Sequence, residues 1–325
     1  MKTAFFCNQP DTIRRVYGEE PWEDMYPVIL GEDNLAEHLP RLKEVEAVFS
    51  TWGFPRLTSG QIDALPRWKI LFYGAGSVKA FAQPLLERGI RVVSAAHANG
   101  VFVAEYTLAQ ILLAQKGYFR TVRGADGAQK RRILAQIPPF GNFDARVGLI
   151  GAGHIGRMVI GLLAHHRAKV MVYDPFLPEV DARALGVEKA SLEDLFSQCE
   201  VVSNHAPNIP ETVGMLTYDL FSRLQEGATF INTGRGATVN EPDMIRFLSE
   251  RRDVCALLDV TWPEPPAAGS PFYTLPNVFL TPHIAGSIGR EVRLMGELCR
   301  EEFARYQKGE PLRYEVTLDQ LPRLA

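Results

Sequence analysis

Residues 147–156 read Val-Gly-Leu-Ile-Gly-Ala-Gly-His-Ile-Gly, and an apolar stretch with helical spacing and a second apolar run follow them. Gly151, Gly153 and Gly156 form a G-x-G-x-x-G pattern directly after the first apolar run. In a strand–turn–helix unit, the first glycine permits the tight turn, the second lets a pyrophosphate approach the backbone, and the third packs the helix on the strand. The N–H groups and partial positive charge of the helix N-terminus favour phosphates. The segment therefore predicts a dinucleotide site.

Asp174 ends the second apolar run, 18 residues after Gly156. A carboxylate at this distance can accept hydrogen bonds from the adenosine ribose hydroxyls, and it repels a 2′-phosphate. The sequence therefore favours NAD as the cofactor, with an NADP-preferring glyoxylate or hydroxypyruvate reductase as the alternative. His154 and Ile155, which fill two variable positions of the glycine segment, are included among the predicted cofactor-binding residues.

The composition is that of an ordinary globular protein. Of 325 residues, 46% are hydrophobic and 22% are charged. The net charge of −3 lacks the positive excess that is typical of nucleic-acid-binding proteins. The short basic run at 130–132 is explained equally well by a solvated helix face. No stretch of about 20 apolar residues is present, so no membrane span is expected. The four cysteines are scattered without metal-ligand spacing, which favours a reduced, cytoplasmic compartment and predicts no metal site.

Apolar runs with strand character alternate with helical patterns on both sides of the glycine segment. Because this segment starts near residue 150, a folded layer must precede it, and residues 1–98 read as a parallel α/β layer of their own. We predict an α/β fold of two Rossmann-like, parallel-sheet domains. Residues 99–287 form the NAD-binding domain, which is inserted into a substrate-binding domain made of 1–98 and 288–325.

Three helices outside the glycine segment are also predicted. Residues 101–120 are strongly apolar, which predicts a long helix buried between domains or between subunits. Glu241–Glu250 predicts a helix that Asn240 caps, with Pro242 in its first turn. Residues 288–307 predict a charged amphipathic helix that returns to the first domain.

Reactive side chains follow three strands in the second half of the chain. Arg235 stands just past one apolar run, and His283 just past the last. Between them, Asp259 stands at the tip of a third run, with Glu264 five residues further on. Because ligands of open α/β sheets bind at the carboxyl ends of strands, these groups are expected to converge beside the nicotinamide end of the cofactor.

An arginine, a carboxylate and a histidine suit the reduction of a 2-oxo acid. A guanidinium can hold a carboxylate through two parallel hydrogen bonds and polarise the adjacent carbonyl. An imidazole can protonate the carbonyl oxygen as hydride arrives, and a carboxylate on its other nitrogen fixes the tautomer and favours the imidazolium. Taken singly, Arg235 could equally cap a helix, Glu264 could be a solvated loop charge, and His283 could be a histidine satisfied within a turn.

Five segments of the chain are similar, in order and spacing, to those of the D-isomer-specific 2-hydroxyacid dehydrogenase family. They are Gly-Ala-Gly-His-Ile-Gly (151–156), His-Ala-Pro-Asn-Ile-Pro-Glu-Thr (205–212), Ile-Asn-Thr-Gly-Arg-Gly (231–236), Asp-Val-Thr-Trp-Pro-Glu-Pro (259–265) and Thr-Pro-His-Ile-Ala-Gly (281–286). The resemblance implies that Arg235 binds the substrate, that His283 donates and accepts the proton, and that Glu264 orients His283. It also implies that Asp259 contacts the nicotinamide amide.

The same resemblance implies a set of cofactor contacts at the strand ends and a homodimer formed through the NAD-binding domain. The expected contacts are His205, Pro207, Thr233, Gly234, Arg235 and His283.

The loop at 73–79, Tyr-Gly-Ala-Gly-Ser-Val-Lys, departs from the family pattern of Gly-x-Gly-x-Asp-Asn. Ala75, Gly76 and Ser77 are nevertheless predicted to contact the substrate, because the glycines that let backbone N–H groups receive a carboxylate are kept. The acidic–amide pair of the pattern is replaced by valine and lysine. The choice of substrate among glyoxylate, hydroxypyruvate and larger 2-oxo acids is therefore open.

Two other functions share parts of this pattern. Formate dehydrogenases of the same fold carry a glutamine where Glu264 stands, which argues against formate as the substrate. Dinucleotide-sensing corepressors that resemble the family keep the same arginine, glutamate and histidine, so these residues alone do not exclude a binding protein.

Overall fold

The structure is a computed structural model that describes residues 1–19, 24–122 and 141–323. The chain divides into two compact units. Unit 1 combines Met1–Gly100 with the segment that starts at Ser287, and unit 2 comprises Val101–Gly286.

Both units are built from strands and helices that alternate along the chain. In chain order the strands are β1 (Thr3–Phe5), β2 (Ala47–Ser50), β3 (Ile70–Tyr73), β4 (Arg91–Ser94), β5 (Phe143–Ile150), β6 (Arg167–Tyr173), β7 (Glu188–Lys189), β8 (Val201–Asn204), β9 (Thr229–Asn232), β10 (Cys255–Leu258), β11 (Val278–Leu280) and β12 (Glu315–Val316). The helices are α1 (Pro10–Tyr17), α2 (Leu35–His38), α3 (Ser59–Asp63), α4 (Gln83–Leu86), α5 (Ala96–Gln115), α6 (Tyr118–Thr121), α7 (His154–Leu163), α8 (Glu179–Ala184), α9 (Leu192–Gln198), α10 (Tyr218–Phe221), α11 (Glu241–Glu250) and α12 (Val292–Gln307).

The sheet of unit 1 has the order β1-β2-β3-β4-β12. Its first four strands are parallel, and β12 pairs antiparallel with β4. Every residue of β2 is buried, with Val48 in one apolar cluster and Phe49 in another. Because alternate residues of a strand point to opposite faces, helices must cover both faces of this sheet.

The sheet of unit 2 has the order β11-β10-β9-β8-β5-β6-β7, and its strand pairs are parallel. From β5 the chain runs to β6 on one side, and it later returns to β8 on the other. This reversal is the switch point at which open α/β sheets bind nucleotides, beyond the carboxyl ends of the strands. The predicted α/β class with two parallel-sheet layers is confirmed.

The predicted helix Glu241–Glu250 is confirmed as α11, and the Asn240 side chain accepts a hydrogen bond from the Asp243 N–H. The helix predicted at 101–120 runs instead as α5, from Ala96 to Gln115. It ends there because Gly117 takes a left-handed conformation, with φ of 68°.

Leu113 of α5 is 41% exposed in the single chain, and burial of α5 between subunits stays a prediction. The bounds of the helix predicted at 288–307 are corrected, because it begins only at Val292, after a 3₁₀ turn at Gly289–Glu291. The basic run at 130–132 lies outside the described residues.

No helix in the described ranges is long and apolar enough to cross a membrane. Within the same ranges, no group of three or more His, Cys, Asp or Glu side chains could hold a metal ion.

Two helical glycines provide a matched test of packing. A Cβ on Gly296 in α12 would lie 2.1 Å from the Val16 carbonyl oxygen of α1, whereas one on Gly161 in α7 would meet nothing within 4 Å. Gly296→Ala should therefore lower the free energy of unfolding by about 1–3 kcal/mol through overpacking. Gly161→Ala should raise it by about 0.5–1 kcal/mol, because alanine restricts the unfolded chain. Chemical denaturation measures both, and equal effects of the two substitutions would contradict this packing.

Candidate active site

Arg235 follows β9 between two glycines that let the chain pass close to its neighbours. A Cβ on Gly234 would lie 2.9 Å from the Asn204 carbonyl oxygen, and one on Gly236 would lie 2.1 Å from that of Thr261. Since side chains do not fit at such distances from backbone atoms, both positions require glycine. The Arg235 segment therefore packs closely between the end of β8 and the loop that follows β10.

Two buried asparagines hold the backbone of Arg235. Asn204 and Asn232 are paired in register at the ends of β8 and β9. The Asn204 side-chain amide donates to Asn232 Oδ1 (3.0 Å) and Thr238 Oγ1 (2.8 Å). Asn232 Nδ2 and Thr238 Oγ1 donate in turn to the Arg235 carbonyl (3.3 and 2.8 Å). This network was not predicted from the sequence, although polar residues that end two neighbouring apolar strands indicate a buried hydrogen-bonded pair.

The His283 imidazole and the Glu264 carboxylate form a direct pair. His283 Nδ1 lies 2.6 Å from Glu264 Oε1. The two side chains are 51% and 40% exposed, so water screens part of their attraction. The structure thus brings together two side chains that the sequence places 19 residues apart.

The Arg235 guanidinium is half-buried in the same region. Burial lowers the pKa of Arg235, and the charge of Glu264 acts in the opposite direction. Arg235 Nη1 donates to the Gly234 carbonyl (2.8 Å), which leaves other guanidinium N–H groups for a ligand. Glu264 therefore interacts with both Arg235 and His283.

The Asp259 carboxylate is buried and holds the turn that carries His283. Oδ1 accepts hydrogen bonds from Thr281 Oγ1 (2.6 Å) and the Ile284 N–H (2.8 Å), and Oδ2 accepts one from the Ala285 N–H (2.9 Å). These contacts were not predicted from the sequence, because they depend on how the turn folds back. The predicted contact of Asp259 with the nicotinamide amide stays a prediction.

The glycine loop begins at the carboxyl end of β5. Gly151 has φ of 96°, in the left-handed region. A Cβ on Gly156 would lie 2.1 Å from the Gly151 carbonyl oxygen, which explains the close approach of α7 to this turn. A Cβ on Gly153 would meet nothing within 4 Å, as expected where a pyrophosphate approaches the backbone. His154 and Ile155 form the first turn of α7.

Asp174 follows β6 and lies beside the glycine loop. Its Oδ2 accepts a hydrogen bond from the Ala152 N–H (2.7 Å), and its Oδ1 accepts one from the Phe176 N–H (2.8 Å). These bonds fix the carboxylate while each oxygen keeps a lone pair. The carboxylate can therefore still accept ribose hydroxyls.

His205 follows β8, and its ring is half-buried and neutral. Burial lowers the pKa of His205 to about 4. Its Nε2 lies 3.0 Å from Ser203 Oγ, whereas its buried Nδ1 finds no hydrogen-bond partner among the described residues. Two residues on, the Pro207 carbonyl accepts a hydrogen bond from Thr212 Oγ1. A buried polar atom that lacks a protein partner fits the wall of a ligand site.

Residues 117–285 match the family model described as D-isomer specific 2-hydroxyacid dehydrogenase, NAD binding domain. The chain belongs to this family. The matched segment contains the glycine loop, Asp174 and His205, and these residues fit NAD by the geometry given above. The family resemblance derived from the sequence is confirmed.

Relatives of the chain include named dehydrogenases. D-3-phosphoglycerate dehydrogenase of Archaeoglobus fulgidus is 31% identical over 234 residues, which are 71% of this chain and 44% of that protein. The chain thus spans less than half the length of this relative.

Solved structures share the fold over nearly the whole chain. The TT0316 protein of Thermus thermophilus has a TM-score of 0.70 at 27% identity, and the match covers 97% of this chain and 100% of that one. D-mandelate dehydrogenase of Rhodotorula graminis has a TM-score of 0.77 at 20% identity, with 97% of each chain covered.

Ala75, Gly76 and Ser77 lie in unit 1, on the loop that follows β3. Ser94 Oγ donates to the carbonyls of Ala75 (3.3 Å) and Gly76 (2.6 Å), which fixes the start of this loop. Val78, which replaces the acidic residue of the family pattern, is buried in an apolar cluster of unit 1. The predicted contacts of this loop with a substrate stay predictions.

Gly153 offers a test of cofactor binding that spares the fold. Gly153→Ala should weaken NADH binding at least tenfold, because the new methyl group occupies the space that the pyrophosphate approaches. The melting temperature without cofactor should not fall, since this Cβ meets no protein atom. Gly161→Ala, further along the same helix, is the control and should leave the affinity unchanged. Fluorescence titration with NADH measures both, and unchanged affinity in Gly153→Ala would refute this placement of the cofactor.

Proposed function

We propose that the chain is an NAD-dependent D-2-hydroxyacid dehydrogenase that interconverts a small 2-oxo acid and its 2-hydroxy acid. The observation that carries the proposal is the 2.6 Å contact between His283 Nδ1 and Glu264 Oε1, in a dinucleotide-binding sheet that also presents Arg235. Glu264 interacts electrostatically with Arg235 as well. An acid–base pair and a cation for a carboxylate thus belong to one site.

Arg235 binds the substrate carboxylate. Its guanidinium is half-buried, and loss of water strengthens its attraction for an anion. A bidentate contact with the carboxylate fixes the plane of the substrate and polarises the adjacent carbonyl. Asn232 and Thr238 donate hydrogen bonds to the Arg235 carbonyl. These bonds fix the backbone that carries the guanidinium.

His283 transfers the proton. Because Nδ1 is engaged by Glu264, Nε2 is the ring atom that donates a proton to the substrate carbonyl oxygen. Glu264 fixes the orientation of the ring through Nδ1, and reduction requires the imidazolium form. NADH, when bound, supplies the hydride that the carbonyl carbon accepts. In the opposite direction, the neutral imidazole accepts the hydroxyl proton.

Asp174 supports NAD over NADP, because a fixed carboxylate repels a 2′-phosphate. The preference for D-isomers follows from family membership. Substrate contacts from Ala75, Gly76 and Ser77, a homodimer and a cytoplasmic location are part of the proposal and derive from the sequence.

Replacement of His283 tests the proposal. With NADH and a panel of glyoxylate, hydroxypyruvate, pyruvate and phenylpyruvate, the wild-type protein should turn over at least one acid, and NADPH should serve less well. His283→Asn should lower kcat by about 10²–10⁴-fold, the usual contribution of a general acid, and should leave NADH affinity within twofold. His166→Asn, at an exposed turn, is the matched control and should behave as wild type.

Two outcomes would contradict the proposal. Full turnover by His283→Asn would remove His283 as the proton donor. Tight NADH binding without turnover of any acid by the wild-type protein would favour a dinucleotide-sensing role.

A further inference from the structure

A chain of hydroxyl groups connects helix α5 to the Asp259 carboxylate. Tyr106 Oη lies 3.1 Å from Thr281 Oγ1, which lies 2.6 Å from Asp259 Oδ1. A carboxylate only accepts, so Thr281 donates its single proton to Asp259. Tyr106 must then be the donor to Thr281. Burial raises the pKa of Tyr106, which keeps this hydroxyl protonated.

Asp259 accepts hydrogen bonds from His283 itself and from the two residues that follow it. Its carboxylate accepts the N–H groups of Ile284 and Ala285, and its backbone carbonyl accepts the His283 N–H at 3.1 Å. Hydrogen bonds to an ionised acceptor are about twice as strong as neutral ones. The turn that carries His283 is therefore fixed through one buried side chain.

His283 needs such restraint because of its backbone conformation. Its φ of 54° lies in the left-handed region, which is unfavourable for a residue with a Cβ. An unrestrained turn would relax towards negative φ and move the imidazole away from Glu264. The Asp259 contacts oppose this relaxation.

The same helix also reaches the strand end that carries Arg235. Thr107 Oγ1 lies 3.0 Å from Thr233 Oγ1, and both hydroxyls are buried. Thr281 and Thr233 each stand two residues before a functional side chain, His283 and Arg235 respectively. Adjacent residues of α5, Tyr106 and Thr107, thus contact both strand ends.

We propose that Tyr106 and Thr107 of α5 are positioning residues, which hold the His283 turn through Thr281 and Asp259 and the Arg235 segment through Thr233. The inference rests on the proposed function, in which His283 transfers the proton and Arg235 binds the carboxylate. It goes beyond that function by assigning the alignment of the two groups to one helix.

The connection from Tyr106 to the His283 turn and the connection from Thr107 to the Arg235 segment predict different kinetic effects. Thr281→Val removes the hydroxyl at nearly constant shape, and it should lower kcat about tenfold or more with little change in the KM of the 2-oxo acid. Thr281→Ser keeps the hydroxyl and should restore kcat to within about threefold of wild type. Thr107→Val should instead raise the KM of the 2-oxo acid severalfold, because it loosens the Arg235 segment. Tyr106→Phe should lower kcat as Thr281→Val does, but by a smaller factor.

Rescue by the conservative variant separates positioning from general structural damage. Thr281→Ser keeps the hydroxyl that donates to Asp259 and loses only the methyl group. Recovery of kcat in Thr281→Ser therefore assigns the loss in Thr281→Val to this hydrogen bond. A purely structural loss would lower kcat in both variants.

Nuclear magnetic resonance of the His283 Nδ1–H proton reports the contact with Glu264 without turnover. A hydrogen-bonded signal that Thr281→Ser keeps and Thr281→Val loses supports the proposal, whereas identical signals in two folded variants overturn it. Wild-type kinetics in both Thr281→Val and Tyr106→Phe would also overturn it. Absence of wild-type turnover on every acid would instead count against the proposed function, and the imidazole signal would still test the connection from Tyr106 to the His283 turn.

Discussion

The buried carboxylate of Asp259 is the group on which the geometry of the candidate site depends. A carboxylate removed from water must be satisfied by hydrogen bonds, or its charge becomes very costly. Within the described residues it accepts hydrogen bonds from the Thr281 hydroxyl and from the N–H groups of Ile284 and Ala285. The need to satisfy Asp259 therefore folds the chain back after β11, and that fold gives His283 its left-handed backbone and its contact with Glu264.

The arginine side of the site is fixed by close backbone approach rather than by charge. Gly236 passes so near Thr261 that a single methyl group would collide with its carbonyl. The amides of Asn204 and Asn232 then lock the segment from the neighbouring strands. The two sides of the site are thus held by different forces, one electrostatic and one steric, and both act at the carboxyl ends of parallel strands.

Much of this arrangement could be predicted from residue types and their spacing. The glycine pattern identifies the βαβ unit because each glycine has a steric reason, and the cap at Asn240 marks the start of α11 because its side chain satisfies a helix N–H. Arg235, Glu264 and His283 stand out because reactive side chains follow apolar runs. The start of α5 at Ala96 could not be predicted, since Ala-His-Ala-Asn-Gly lacks the apolar periodicity of the residues after it. The hydrogen bonds of Tyr106 and Thr107 join residues more than 120 positions apart, so no local pattern contains them.

A crystal structure with NAD⁺ and oxamate, an unreactive analogue of a 2-oxo acid, would show whether Arg235 and His283 hold the substrate. We expect the oxamate carboxylate on the Arg235 guanidinium and its carbonyl oxygen within hydrogen-bond distance of His283 Nε2, with Glu264 still on Nδ1. Oxamate bound away from Arg235, or a His283 ring turned away from Glu264 in the complex, would contradict this expectation.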